Sequence, residues 1–106
     1  MQHISVTELK TYLDRVEQPP LLLDVREPWE FRICHIDGSL LVPMGSVPSY
    51  LQELDAAREI VVICHHGIRS RQVALYLEQQ GFARVINMEG GVAAWARDVD
   101  PGMPAY

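Results

Sequence analysis

The chain has 106 residues, 48% apolar and 22% charged, which is enough for one domain around one hydrophobic core and little more. Its formal net charge of −5 gives no electrostatic basis for binding nucleic acid or an anionic membrane. A local basic pocket stays open, because all the basic residues but Lys10 are arginines.

The N-terminal run Met1-Gln2-His3-Ile4-Ser5 lacks the charged and apolar pattern of a signal peptide, and no apolar stretch nears the roughly 20 residues of a membrane span. A cytoplasmic monomer is the expectation. Cys34 and Cys64 are too few for a disulfide scaffold or a four-cysteine metal site, so both are expected as free thiols. That turns the question from crosslinking to reactivity.

Ser5-Val6-Thr7-Glu8 fits a capping box, and Leu9, Leu13 and Val16 follow at helical spacing, which predicts a helix over 6–17 ended by Pro19-Pro20. Leu21-Leu22-Leu23-Asp24-Val25 reads as a strand covered on both faces. Glu27-Pro28-Trp29-Glu30-Phe31 reads as a short helix with proline in its first turn. Leu40-Leu41-Val42 is a short strand stopped by Pro43, and residues 48–54 form a short helix with Tyr50, Leu51 and Leu54 apolar. The clearest strand is Glu59-Ile60-Val61-Val62-Ile63-Cys64. A helix over 69–80, closed by Gly81, follows it. Val85-Ile86-Asn87-Met88 is the last core strand, and Gly90-Gly91 leads into a short helix carrying Trp95. The remaining tail, 98–106, rich in Asp, Pro and Gly, is expected to be a surface segment. Strands alternating with helices throughout predict one α/β domain over 1–106 with a parallel sheet, its ligand site beyond the carboxyl ends of the strands.

Cys64 sits at such an end. A tight turn over Cys64-His65-His66-Gly67-Ile68-Arg69-Ser70 aims backbone N–H groups inward at a helix N-terminus, making a nest for anions. Those donors, the helix dipole and Arg69 favour thiolate over thiol at Cys64. Gly67 supplies the backbone freedom the turn needs. Arg69 has the fork geometry that suits a sulfonate. Ser70 can begin the helix or reach Cys64 with its hydroxyl. His65, His66 and Ile68 line the mouth and lend backbone N–H groups. The two adjacent histidines have no partner ligands at metal-binding spacing. Asp24 and Arg26 lie at a neighbouring strand end, where they steady the loop from behind or form a structural ion pair such as Arg26 with Glu30.

The loop resembles the active-site loop of the rhodanese family, Cys-x-x-Gly-x-[Arg/Ser]-Ser. Three further stretches match that family in order. They are Asp24-Val25-Arg26-Glu27 with Glu30-Phe31, His35-Ile36-Asp37-Gly38-Ser39 with Val42-Pro43, and Gly90-Gly91 with Trp95. The resemblance spans essentially the whole chain. It implies a five-stranded parallel sheet flanked by helices on both faces. It also implies ping-pong transfer of sulfane sulfur through a Cys64 persulfide, from a donor such as thiosulfate or a persulfide to cyanide, a thiol or a protein acceptor, with no cofactor or metal. Cys34 stands where the family more often has glycine; it reads as a small buried residue, though similar to rhodanese modules attached to enzymes that activate sulfur-carrier proteins. Two other readings remain: a carrier or regulatory module that receives sulfur from a protein partner, and a small cysteine phosphatase or arsenate reductase. The four residues between Cys64 and Arg69 favour sulfur, by family analogy, over the longer phosphatase loop.

Overall fold

Ser5 starts the first helix by a reciprocal cap: its hydroxyl accepts the Glu8 N–H at 3.2 Å, while the Glu8 carboxylate accepts the Ser5 N–H at 3.0 Å. The computed structural model describes all 106 residues and runs β1 (Gln2–Ile4), α1 (Val6–Arg15), β2 (Leu21–Asp24), α2 (Pro28–Ile33), β3 (Leu40–Leu41), α3 (Val47–Tyr50), β4 (Ile60–Ile63), α4 (Ile68–Gln79), β5 (Val85–Met88) and α5 (Gly91–Asp98). Helix α1 stops at Arg15 rather than residue 17, because Val16 turns extended and returns its N–H to the Tyr12 carbonyl ahead of the two prolines. The helix expected over 48–54 is broken into α3 between two 3₁₀ turns, Met44–Ser46 and Leu51–Glu53.

The five strands form one parallel sheet in the order β1-β5-β4-β2-β3. Strand β1 carries no sequence signal of its own: Gln2 and His3 are exposed at the sheet edge, and only the pairing of Gln2, His3 and Ile4 with Ile86, Asn87 and Met88 defines it. Helices cover both faces. Leu23, Ile60, Val62 and Val85 pack with Val73, Ala74 and Leu77 of α4 on one side. Leu22, Val61, Ile63, Ile86 and Met88 pack with Val6 and Leu9 of α1 and Val92 and Trp95 of α5 on the other. Every residue of β4 is buried, as its unbroken apolar run requires.

This alternation places Cys64 on the α4 face, immediately past the end of β4. The in-register pairing of Asp24 with Ile63 brings the Val25–Arg26 turn beside it. The turn after β5 leads into α5 on the other flank. No helix is long and apolar enough to cross a membrane.

Candidate active site

The Cys64 side chain is buried, with 1% of its surface exposed, at the base of the turn between β4 and α4. Its Sγ accepts the Gly67 N–H at 3.0 Å. Gly67 has φ +96° and forms the N-cap of α4, a left-handed backbone that a side chain would strain. The sulfur lies 3.3 Å from Ser70 Oγ, and that hydroxyl donates onward to Asn87 Oδ1 at 2.6 Å. Ser70 is therefore the residue that reaches the sulfur, one turn inside the helix, and the cap belongs to Gly67. The first-turn N–H groups of α4 have no partner within the helix and give its end positive character.

The loop is held from behind by α5. Val92 N–H donates to the Cys64 carbonyl at 2.9 Å and Ala93 N–H to the His65 carbonyl at 3.1 Å. This close approach explains Gly91: a Cβ there would collide with both of those carbonyl groups. The Gly-Gly pair thus serves the active turn, through space, as well as its own helix.

The charged residues are arranged differently from expectation. The Arg26–Glu30 ion pair does not form. Arg26 is fully buried and gives Nη2 to Asp24 Oδ2 at 2.7 Å, Nε to Asp24 Oδ1 at 2.9 Å and its other Nη2 proton to the Cys34 carbonyl at 2.7 Å. The Glu30 carboxylate instead binds Arg69 in a fork, Nη1 to Oε2 and Nη2 to Oε1, both 2.8 Å. Hence Arg69, read as a sulfonate ligand, is already paired. Its hydrogen bonds hold the Glu30 carboxyl down at about 2, against the opposing effect of burial, with help from the Glu27 backbone and Tyr106.

The tail also departs from a bare surface segment. It lies at the surface, but Tyr106 turns in and its ring stacks on His65 at 3.9 Å and 7°. The Tyr106 hydroxyl accepts from Arg26 Nη1 at 2.8 Å and donates to Glu30 Oε1 at 3.0 Å. Burial pushes this phenol up to about 12. Under the ring, His65 is pushed below its ordinary value, first by burial and then by the neighbouring His66, Arg26 and Arg69. His66 and Ile68 turn their side chains outward.

The structure thus brings Cys64, Gly67 and Ser70 into direct contact and ties Asp24, Arg26 and Arg69 to the loop indirectly. Three residues had no assigned part in the loop: Glu30, Asn87 and Tyr106. Asn87 left a signal, a single polar side chain within an apolar strand. Glu30 stands out in the sequence as a residue of the Asp-Val-Arg motif and as a partner for Arg26, not for Arg69, and nothing near Tyr106 in the chain marks it.

The description Rhodanese-like domain matches residues 5–98. The chain belongs to the rhodanese-like domain family. Among its relatives, a sulfurtransferase of Allochromatium vinosum is 43% identical over 77 residues, covering 73% of this chain and 72% of that protein. The thiosulfate sulfurtransferase GlpE of Pseudoalteromonas translucida is 32% identical, covering 89% and 88% of the two chains. A probable adenylyltransferase/sulfurtransferase, MoeZ of Mycobacterium tuberculosis, is 35% identical over 97% of this chain, which spans only 26% of that longer protein. In three dimensions, the rhodanese-like domain protein of Staphylococcus aureus superposes with a TM-score of 0.86 at 32% identity, covering 100% and 99% of the two chains. This rhodanese-like domain therefore has the five-stranded α/β fold of its relatives, and their names support sulfur transfer as its general activity.

Proposed function

We propose that this domain moves sulfane sulfur from a donor such as thiosulfate to a thiophilic acceptor through a persulfide on Cys64. The observation that carries the reading is the Cys64 sulfur at the bottom of the turn, accepting the Gly67 N–H at 3.0 Å and facing the N-terminal turn of α4. In the first half-reaction the Cys64 thiolate attacks the outer sulfur of the donor. The donor's sulfur–sulfur or sulfur–sulfite bond breaks, and the leaving group departs with the bonding pair. The new terminal sulfur carries negative charge and is met by the N–H groups of residues 65–70 and the helix dipole. In the second half-reaction an acceptor nucleophile attacks that terminal sulfur and Cys64 leaves as thiolate.

Mass spectrometry after incubation with thiosulfate, and separately with cysteine hydropersulfide, tests this reading. The expected product is one added sulfur on Cys64, absent from Cys64→Ala and released by cyanide as thiocyanate. No adduct from either donor would overturn it.

The match to one stretch of a longer probable adenylyltransferase/sulfurtransferase, of which this chain spans 26%, favours a second reading, in which such a domain works beside other protein parts and sulfur reaches Cys64 from a protein partner. Loading by a persulfidated protein but by neither small donor would select it.

A further inference from the structure

The surroundings of the Cys64 turn are short of free positive charge, and this bears on which donor it accepts. Thiosulfate brings a dianion and releases sulfite, so a site that prefers it gains from an uncompensated cation at the mouth. Arg69 is the one arginine of the loop, and its guanidinium faces the Glu30 carboxylate through two 2.8 Å hydrogen bonds. Glu30 is itself fixed by the Glu27 N–H at 2.8 Å and the Tyr106 hydroxyl at 3.0 Å. Its carboxyl is held so low that the pair stays fully ionised and mutually neutralised at neutral pH.

The other cations are spent or turned away. Arg26 is buried against Asp24. Burial first, then the neighbouring His66, Arg26 and Arg69, push the His65 ring below its ordinary value and disfavour its cationic form. Arg71 and Arg32 each lie two residues along a helix from Arg69 and Glu30, which puts them on the far sides of α4 and α2. The exposed His66 ring packs at 3.9 Å against His65. On the turn and the elements beside it, apolar side chains are exposed instead. Ile68, in the active turn, is 70% exposed, and Trp29 is 54% exposed and meets Tyr106 edge-on at 5.9 Å. Such side chains can pack against an organic leaving group and offer no charge to a sulfonate.

We infer that the preferred donor is an organic hydropersulfide, R–S–SH, whose thiol leaving group rests on the side chains of Ile68, Trp29 and Tyr106, and that the Arg69–Glu30 pair disfavours thiosulfate. This rests on the proposed Cys64 chemistry and narrows its substrate. The step is balanced without a further reactant. The Cys64 thiolate attacks the terminal sulfur of R–S–SH, the bond between the two donor sulfurs breaks, the leaving sulfur departs with the electron pair and takes the proton as R–SH, and Cys64–S–S⁻ remains.

The test compares second-order rate constants for loading Cys64 from thiosulfate and from cysteine hydropersulfide, read by mass spectrometry. In Glu30→Gln, Arg69 regains an unneutralised charge. The thiosulfate constant is expected to rise roughly tenfold relative to the hydropersulfide constant, the scale of one freed charge acting on an anion near a protein surface. That gain should vanish at high salt, where surface electrostatics are screened. An unmoved ratio would overturn the inference. The wild-type protein supplies a second measurement that needs no variant: its thiosulfate loading should vary little with ionic strength. A steep fall with salt would mean that Arg69 leaves Glu30 for the substrate, and would equally overturn it. Absence of loading from both donors would instead strike the sulfur-transfer reading itself.

Discussion

Strand β4 and the turn that follows it are continuous in the chain and are held by opposite physics. Ile60, Val61, Val62 and Ile63 are fully buried between two helical layers, so beyond the backbone ladder their side chains are held by apolar area and close packing, neither of which has direction. From Cys64 to Ser70 the chain is held by single directed bonds: Gly67 N–H to sulfur, Ser70 to Asn87, and the α5 N–H groups to the Cys64 and His65 carbonyls. The strand should tolerate volume-conserving apolar substitutions, whereas the turn should fail when one atom is added or one partner removed. The proposed activity is thus placed where the fold is most specific and least redundant.

The sharpest way to break this comparison is at Gly91. Gly91→Ala adds a left-handed strain at φ +62° to a collision with the Cys64 and His65 carbonyls. A loss of about 4 kcal/mol is expected from strain and overpacking together. Alkylation of Cys64 by iodoacetamide in the molecules that remain folded should be strongly altered. Denaturant melts and alkylation kinetics check both halves.

Leu77→Ala tests the other region. Leu77 is fully buried on the α4 face, and its truncation should cost about 3 kcal/mol by transfer and cavity formation. Cys64 alkylation in the folded molecules should stay near the wild-type rate. A site as sensitive as the core to this change would show the two regions are not separable.

An acid titration comes next in size. The Glu30 carboxyl sits at about 2, below its ordinary 4.5, so the ionised form is preferred in the folded protein. Its contribution is fully present above pH 4.5 and is lost as pH falls toward 2. Because Arg69 is partly exposed, screening reduces that contribution to the order of 2 kcal/mol. The stability difference between wild type and Glu30→Gln should shrink as pH falls through this window, as denaturant midpoints at several pH values will show.

The smallest effect is expected at Tyr106. Tyr106→Phe keeps the stacking on His65 and removes the bonds to Arg26 and Glu30. A cost of about 1 kcal/mol is expected, the net worth of part-buried hydrogen bonds. Tyr106→Ala should cost more, since it also removes the ring, and His65 should then titrate nearer its ordinary value by NMR.

Much of this molecule was legible in the chain. The Ser5–Glu8 cap, the apolar run of β4 and the switch to helical spacing after Gly67 are local patterns, and each produced the element it implied. Cys64, Gly67 and Ser70 were legible as neighbours too, because a short turn between a strand and the first turn of a helix constrains its own geometry. Strand β1 was not, since two exposed residues and one half-buried residue become a strand only by pairing with β5. The partner of Arg69 was not either: sequence distance favoured Glu30 for Arg26, four residues away, but α2 carries that carboxylate across to α4.

By itself, then, the sequence determined the order of elements, the two-sided core and the cysteine that sits past the best strand, because these depend on periodicity and on neighbours a few residues apart. Only the tertiary structure decided which charges are free. Arg69 is neutralised by a residue 39 positions earlier and Tyr106 closes over His65 from the far end of the fold. Ion pairing depends on distances of a few ångströms between groups that the chain alone does not bring together.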